Sequence, residues 1–303
     1  MKKLKGIIIA MMLIFVLYGC ADEGNTKPSG ASFMGGTRGI DARFEQMGIL
    51  DPQGEYVWVG DKFPIEVTIY NVGEELIPEK ELNITIVGVD STQFGFNPNG
   101  HNTREILPKS QYNPSGGMET IMITSGASLD SLTSPQFTAT FNARIEYPYK
   151  TKIAVPNVCF KGDFRDTSLC NHVGPRTFSY SGAPVIVTAV TQEPSGSNSI
   201  SLKFDIENRG PGNAAAYGEE FNPNRDTVNF ELIEGNEEGD IQWECTSMGN
   251  PDYARLTNKR GSIICRSGDI DSNILYEKQL TLELSYNYRE SIQKSLIIRN
   301  EPN

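Results

Sequence analysis

The sequence predicts an all-β protein, with two β-sandwich domains standing behind a signal peptide and a flexible tether. Three observations lead there. Apolar residues alternate with period two over many short runs, and long runs with helical period are missing. Gly, Pro and Asn punctuate those runs as turns do. The grammar of the first half then returns in the second at a nearly constant offset, as an internal duplication would produce.

The leader comes first. Lys2, Lys3 and Lys5 form a basic start, and Ile7 to Leu17 is an unbroken apolar run. That run suits a signal peptide and falls short of the roughly 20 residues a membrane helix needs. Leu17-Tyr18-Gly19-Cys20 resembles the lipobox of prokaryotic lipoproteins, with Tyr18 standing where a small residue is usual. The resemblance implies that Cys20 becomes the first mature residue and carries lipid. From Ala21 to Gly39 the chain is rich in Gly, Ser, Thr and Asn and reads as a tether. The expected division is 1–19 signal peptide, 20–39 lipidated tether, 40–158 first sandwich, 159–182 disulfide loop and linker, and 183–303 second sandwich.

In the first sandwich, Phe63, Ile65, Val67 and Ile69 share one face of a strand that ends at Asn71-Val72-Gly73. Leu82 to Val87 and Glu119 to Thr124 follow as strands. Phe137 to Tyr147 is a long one with its odd positions facing inward, and Lys152 to Val155 continues the pattern. In the second sandwich, Pro184 to Val190 and Ile200 to Ile206 are strands, and Asn208-Arg209-Gly210-Pro211-Gly212 is the turn. Val228 to Ile233, Ile263 to Arg266, Leu280 to Tyr286 and Ser291 to Ile298 complete it. Ile65 to Gly73 lies over Leu202 to Gly210, and Ile145 to Tyr149 lies over Leu284 to Tyr288.

A strand leading into Asn-x-Gly, at Asn71-Val72-Gly73 and again at Asn208-Arg209-Gly210, resembles the CARDB-like and related immunoglobulin-like modules of bacterial and archaeal surface proteins. The resemblance implies two immunoglobulin-like β-sandwich domains. It implies no activity, because sandwiches carry many unrelated functions.

The chain has five cysteines and a formal net charge of -11, more negative still without the leader lysines. So acidic a protein is expected to repel nucleic acid and anionic lipid headgroups rather than bind them. With Cys20 set aside for lipid, four cysteines remain, and four allow three pairings. The economical pairing is Cys159 with Cys170 and Cys245 with Cys265, one bridge in each half. A zinc site is disfavoured, because neither pair has the close spacing of a metal knuckle.

No catalytic, cofactor or metal constellation is expected. His101 and His172 read as surface residues. Ser291-Ile292-Gln293-Lys294 matches a Ser-x-x-Lys spacing by chance, without companion motifs. The acidic runs (Glu74, Glu75, Glu79, Glu81; Glu219, Glu220; Glu234, Glu237, Glu238, Asp240) read as solvated surface, with calcium the rival for the last. Asp269 and Asp271 read likewise. Tyr147, Tyr149, Tyr286 and Tyr288 read as packing residues, with a glycan-binding row as the rival. Trp58 and Trp243 stand singly, and Asn83-Ile84-Thr85 is a glycosylation sequon.

The expected role is therefore non-enzymatic: a lipid-anchored protein on the extracytoplasmic face of the membrane, structural, adhesive or docking. Its partners would be the bilayer through the anchor and an envelope protein or glycan. A glycan- or peptide-binding module is the alternative, and a carboxylate-dependent extracellular hydrolase comes third.

Overall fold

The structure is a computed structural model that describes residues 33–165, 170–234 and 241–300. The leader, Cys20 and most of the tether lie outside the described residues, as do Glu237, Glu238 and Asp240. Residues Ala31–Asn303 form one compact unit. The described residues contain strands and turns and no helix.

The first strands are β1 (Ile40–Phe44), β2 (Ile49–Asp51), β3 (Gly54–Trp58), β4 (Phe63–Asn71), β5 (Asn83–Val87), β6 (Asn99–His101) and β7 (Met118–Ala127). Then come the long β8 (Gln136–Lys161) and the short β9 (Gly174–Pro175) and β10 (Ser179–Tyr180). The remainder are β11 (Val185–Pro194), β12 (Ile200–Asn208), β13 (Asn213–Ala215), β14 (Arg225–Ile233), β15 (Trp243–Thr246), β16 (Tyr253–Thr257), β17 (Arg260–Ser267) and β18 (Leu275–Arg299). They make a three-stranded sheet in the order β1-β4-β7 and a 15-stranded sheet. The larger sheet runs β6-β5-β8-β18-β14-β16-β17-β12-β11-β9, with β10, β13, β15, β2 and β3 paired off that path. The arrangement is that of a β-sandwich.

Periodicity explains the layers. Phe63, Ile65, Val67 and Ile69 on β4 are all buried, as their alternation predicts. Fully burying side chains of this size stabilises by about 1.5–3 kcal/mol each. Phe63, Phe94 and Phe141 meet edge to face at 5.6–6.2 Å between ring centres. On β8 the inward rule holds for Ala139, Phe141, Ala143, Ile145 and Tyr147 and fails at Phe137, which is exposed. Phe137 sits one residue into the strand, opposite Ile298 near the other end of the ladder, and it faces a surface groove.

The sequence separates Phe137–Tyr147 from Lys152–Val155, and Leu280–Tyr286 from Ser291–Ile298. The structure fuses each pair into one strand. β8 and β18 pair antiparallel from Lys161 with Leu275 to Gln136 with Arg299, through a single irregularity at Lys278/Leu280. Pro148 lies inside β8, two residues past the Asn83–Glu146 pair that ends the β5 ladder. Its missing N–H therefore disrupts nothing on that side. The stretches 40–158 and 183–303 are joined along this ladder.

Both expected cysteine pairs are disulfides. Cys159–Cys170 ties the end of β8 to the following loop, with Cα atoms 5.8 Å apart. Cys245–Cys265 joins directly opposed residues of β15 and β17, with Cα atoms 3.9 Å apart.

Candidate binding surfaces

The two Asn-x-Gly turns carry the same construction. β4 ends at Asn71, whose Oδ1 accepts the Gly73 N–H at 3.3 Å and the Tyr149 hydroxyl at 3.2 Å. β12 ends at Asn208, whose Oδ1 accepts the Gly210 N–H and the Tyr288 hydroxyl, each at 3.1 Å. The Tyr149 hydroxyl in turn accepts the Glu75 N–H, and the Tyr288 hydroxyl accepts the Gly212 N–H. The amide nitrogens close the figure: Asn71 Nδ2 donates to the Glu75 carbonyl and Asn208 Nδ2 to the Gly212 carbonyl. Even the backbone agrees. The N–H groups of Val72 and Gly73 reach the Gly39 carbonyl, and those of Arg209 and Gly210 reach the Pro184 carbonyl.

These bonds settle the role of the tyrosines. Tyr147 lies opposite Tyr288, and Tyr149 opposite Tyr286, on the shared ladder. All four are buried. Burial pushes all four phenols up, so they stay protonated, and Tyr149 and Tyr288 donate to the two corner asparagines. They are internal locks and present no row to solvent. Tyr286 meets the Thr151 hydroxyl at 3.0 Å and accepts the Val185 N–H at 3.3 Å. The Tyr147 hydroxyl is buried without a hydrogen-bond partner. Near it Glu290 is buried too, and desolvation pushes its carboxyl up to about 7, opposed by Arg38 and aided by Asp41.

The acidic runs divide. Glu74 accepts three backbone N–H groups, from Met34 and Gly35 at 2.9 Å each and from Gly182 at 2.6 Å. It clasps the incoming chain to the fold. Glu75 pairs with Lys152 at 3.5 Å and Glu79 with Lys80 at 2.9 Å. Glu234 accepts the Trp243 indole N–H at 2.7 Å. Glu81, Glu220, Asp269 and Asp271 are exposed, and Glu219 is half-buried. His101 is exposed on β6, while His172 stacks on Phe164 at 4.6 Å between ring centres. Burial, with Lys161 and Arg176 nearby, holds the His172 imidazole below its usual range. Among the described residues no group of three or more His, Cys, Asp or Glu could hold a metal ion.

Ser291 and Lys294 are an odd number of positions apart on β18, so they face opposite ways. Ser291 is exposed, and Lys294 is held by Glu55 at 2.6 Å and by the Glu45 carbonyl at 2.8 Å. Asn83 of the sequon is exposed at the start of β5.

One surface concavity has the makings of a ligand site. The turn after β5 and the segment before β8 enclose a groove of about 340 Å³, lined by Val89, Phe94, Leu129, Leu132 and Phe137 with Asp90 as its one charge. Hydrogen bonds from the Thr92 hydroxyl and amide hold the Asp90 carboxyl below the usual range. The volume is at the low end for small-molecule sites, and the lining is mostly apolar. Its residues come from two distant segments. The only hint in the sequence is the aromatic Phe137 at the margin of a strand.

No protein-family model matches the chain. No curated protein matches it either. Comparison with solved structures returns, among others, "The Triple Jelly Roll Fold and Turret Assembly in an Archaeal Virus", at 9% identity and a TM-score of 0.14, covering 86% of this chain and 91% of that one. A likeness that slight carries no argument. The functional reading rests on the chain itself.

Proposed function

We propose that this is an exported, lipid-anchored protein of the cell envelope, held on the extracytoplasmic face of the membrane by Cys20 and serving a structural, adhesive or docking role. The two disulfides carry the reading. Such bridges persist in oxidising compartments and are rare in reducing ones. They agree with a leader that ends in a lipobox-like cysteine.

Two features support a scaffold rather than a catalyst. Three phenols of the buried tyrosine cluster, Tyr149, Tyr286 and Tyr288, are committed to internal bonds. The Asn-x-Gly corners share their glycine, tyrosine and carbonyl bonds and differ only in the second amide bond, to the Ile106 carbonyl in one and the Asp226 carboxylate in the other, which supports an internal duplication of an immunoglobulin-like module of the CARDB-like kind. A scaffold that joins its repeats along one ladder is suited to bearing load and presenting surfaces.

Cys20→Ala tests the anchor. The parent protein should sediment with membranes and lose its attachment only to detergent, whereas the variant should leave the membrane fraction. Equal partition of the two would overturn the reading. The groove at Phe94 and Phe137 favours a second reading, an extracellular glycan- or peptide-binding module. Its test is Phe137→Ala, which should weaken binding of a selected glycan or peptide at least tenfold without lowering thermal stability.

A further inference from the structure

We propose that the end of the fold where the tether enters is a membrane-docking surface, resting on the bilayer that Cys20 anchors. This rests on the anchor reading and adds an orientation to it.

The first observation is where apolar surface is left open. Thirteen large apolar side chains are exposed among the described residues, and five of them, Met34, Leu76, Leu107, Tyr112 and Met118, belong to adjoining segments at this end. Hydrogen bonds join those segments. Met34 is bonded to Glu74, the Lys109 N–H reaches the Gly73 carbonyl, Ile77 and Ile106 form a bridge, and the Gly117 N–H reaches the Leu107 carbonyl. Tyr112 is 99% exposed at the tip of the Ser110–Asn113 turn. A tyrosine held wholly in water suits the headgroup layer, where an apolar ring with a polar tip is at home.

The second observation is the length of chain outside the structure and where it stops. About a dozen residues separate Cys20 from the Glu74 clasp. Chain length alone lets them span at most about 45 Å. The clasped end is thus the part of the fold that the anchor keeps nearest the lipid, and at a high local concentration.

The third observation is charge. From Arg104 to Met118 the chain carries Arg104 and Lys109 against the single acid Glu105, in a protein of net charge -11. Of the neighbouring acids, Glu74 is held by three amides, Glu75 by Lys152 and Glu79 by Lys80, while Glu81 is exposed. Two cations beside apolar side chains complement lipid phosphates.

The test uses the full lipidated chain in phosphatidylcholine vesicles, with and without bromine on the acyl chains. Tyr112→Trp adds an indole reporter to the patch, and Met248→Trp adds one to the exposed turn after β15. The parent spectrum is subtracted to remove Trp58 and Trp243. Bromolipid should cut the added emission of the Tyr112→Trp protein about twofold and leave that of the Met248→Trp protein unchanged. Intact mass, measured on the same sample, reports the acyl chains on Cys20. Acylated protein with neither reporter quenched, or with both quenched alike, overturns the docking while the anchor stands. Dimer-sized adducts on cross-linking of the unquenched protein would assign the patch to a second copy. Unmodified Cys20 overturns the anchor, and the docking with it.

Discussion

Gly73 and Gly210 leave no room for a side chain. A methyl on Gly73 would lie 2.0 Å from the Tyr149 hydroxyl oxygen and 2.6 Å from the Gly182 carbonyl; on Gly210 it would lie 2.2 Å from the Tyr288 hydroxyl. Gly73→Ala should therefore destabilise by about 3 kcal/mol through overpacking and loss of the corner bonds, read as a lower midpoint in urea. Tyr288→Phe should cost about 1–2 kcal/mol, because it strips one donor from Asn208 and one acceptor from Gly212. Glu290 gives a dependence on pH. Its folded-state carboxyl sits at about 7, above the ordinary 4.5. Between those values the folded protein keeps a proton that the unfolded chain has released, so stability falls as pH rises through the window. The whole loss is about 3 kcal/mol, and nothing more is lost above it. Glu290→Gln should be close to neutral near pH 4 and stabilising at pH 8, measured by denaturation at both. The corner asparagines were visible as Asn-x-Gly, but their tyrosine partners were not. Those lie far along the chain on β8 and β18, and only the fold brings them together.

The strands were the most legible elements, because a half-buried strand writes its two faces into alternate residues. β4, β12 and the inner run of β8 follow that rule. It failed where burial is incomplete, at Phe137; at Pro148 the alternation continues, with Tyr147 and Tyr149 buried on either side, but a proline inside a strand does not announce itself in the sequence. The short β1, β2 and β6 escaped because three to five residues carry too little alternation to stand out. The cysteine pairs were legible from spacing and parity. Their consequence differs by element. β15 is four residues long and pairs with β17, to which its Cys245 is bridged. Replacing Cys245 and Cys265 together by serine should cost about 3 kcal/mol on the loop-closure account. Amide exchange should then quicken from Trp243 to Thr246 well before it does in β12.

At the scale of the molecule, the β8–β18 ladder decides cooperativity. Opening it exposes the apolar inner faces of both halves at once. Calorimetry should therefore show a single transition for Ala31–Asn303, and two separated transitions would show that the halves unfold independently. Partners on this ladder are distant in sequence, from Lys161–Leu275 to Gln136–Arg299. Refolding should be correspondingly slow, in roughly the millisecond-to-second range. The candidate groove was illegible for a related reason. Its walls come from residues 88–94 and 129–137, and no local pattern announces that two loops will face each other.

The Glu74 clasp has a mechanical meaning for a tethered molecule. If the chain is held by its N-terminal segment, a pull on the folded body reaches Met34 and Gly35 before β1, the short edge strand beyond. Their two amide bonds to Glu74 would then carry the load first, while Glu74 keeps its third bond, to Gly182 within the body.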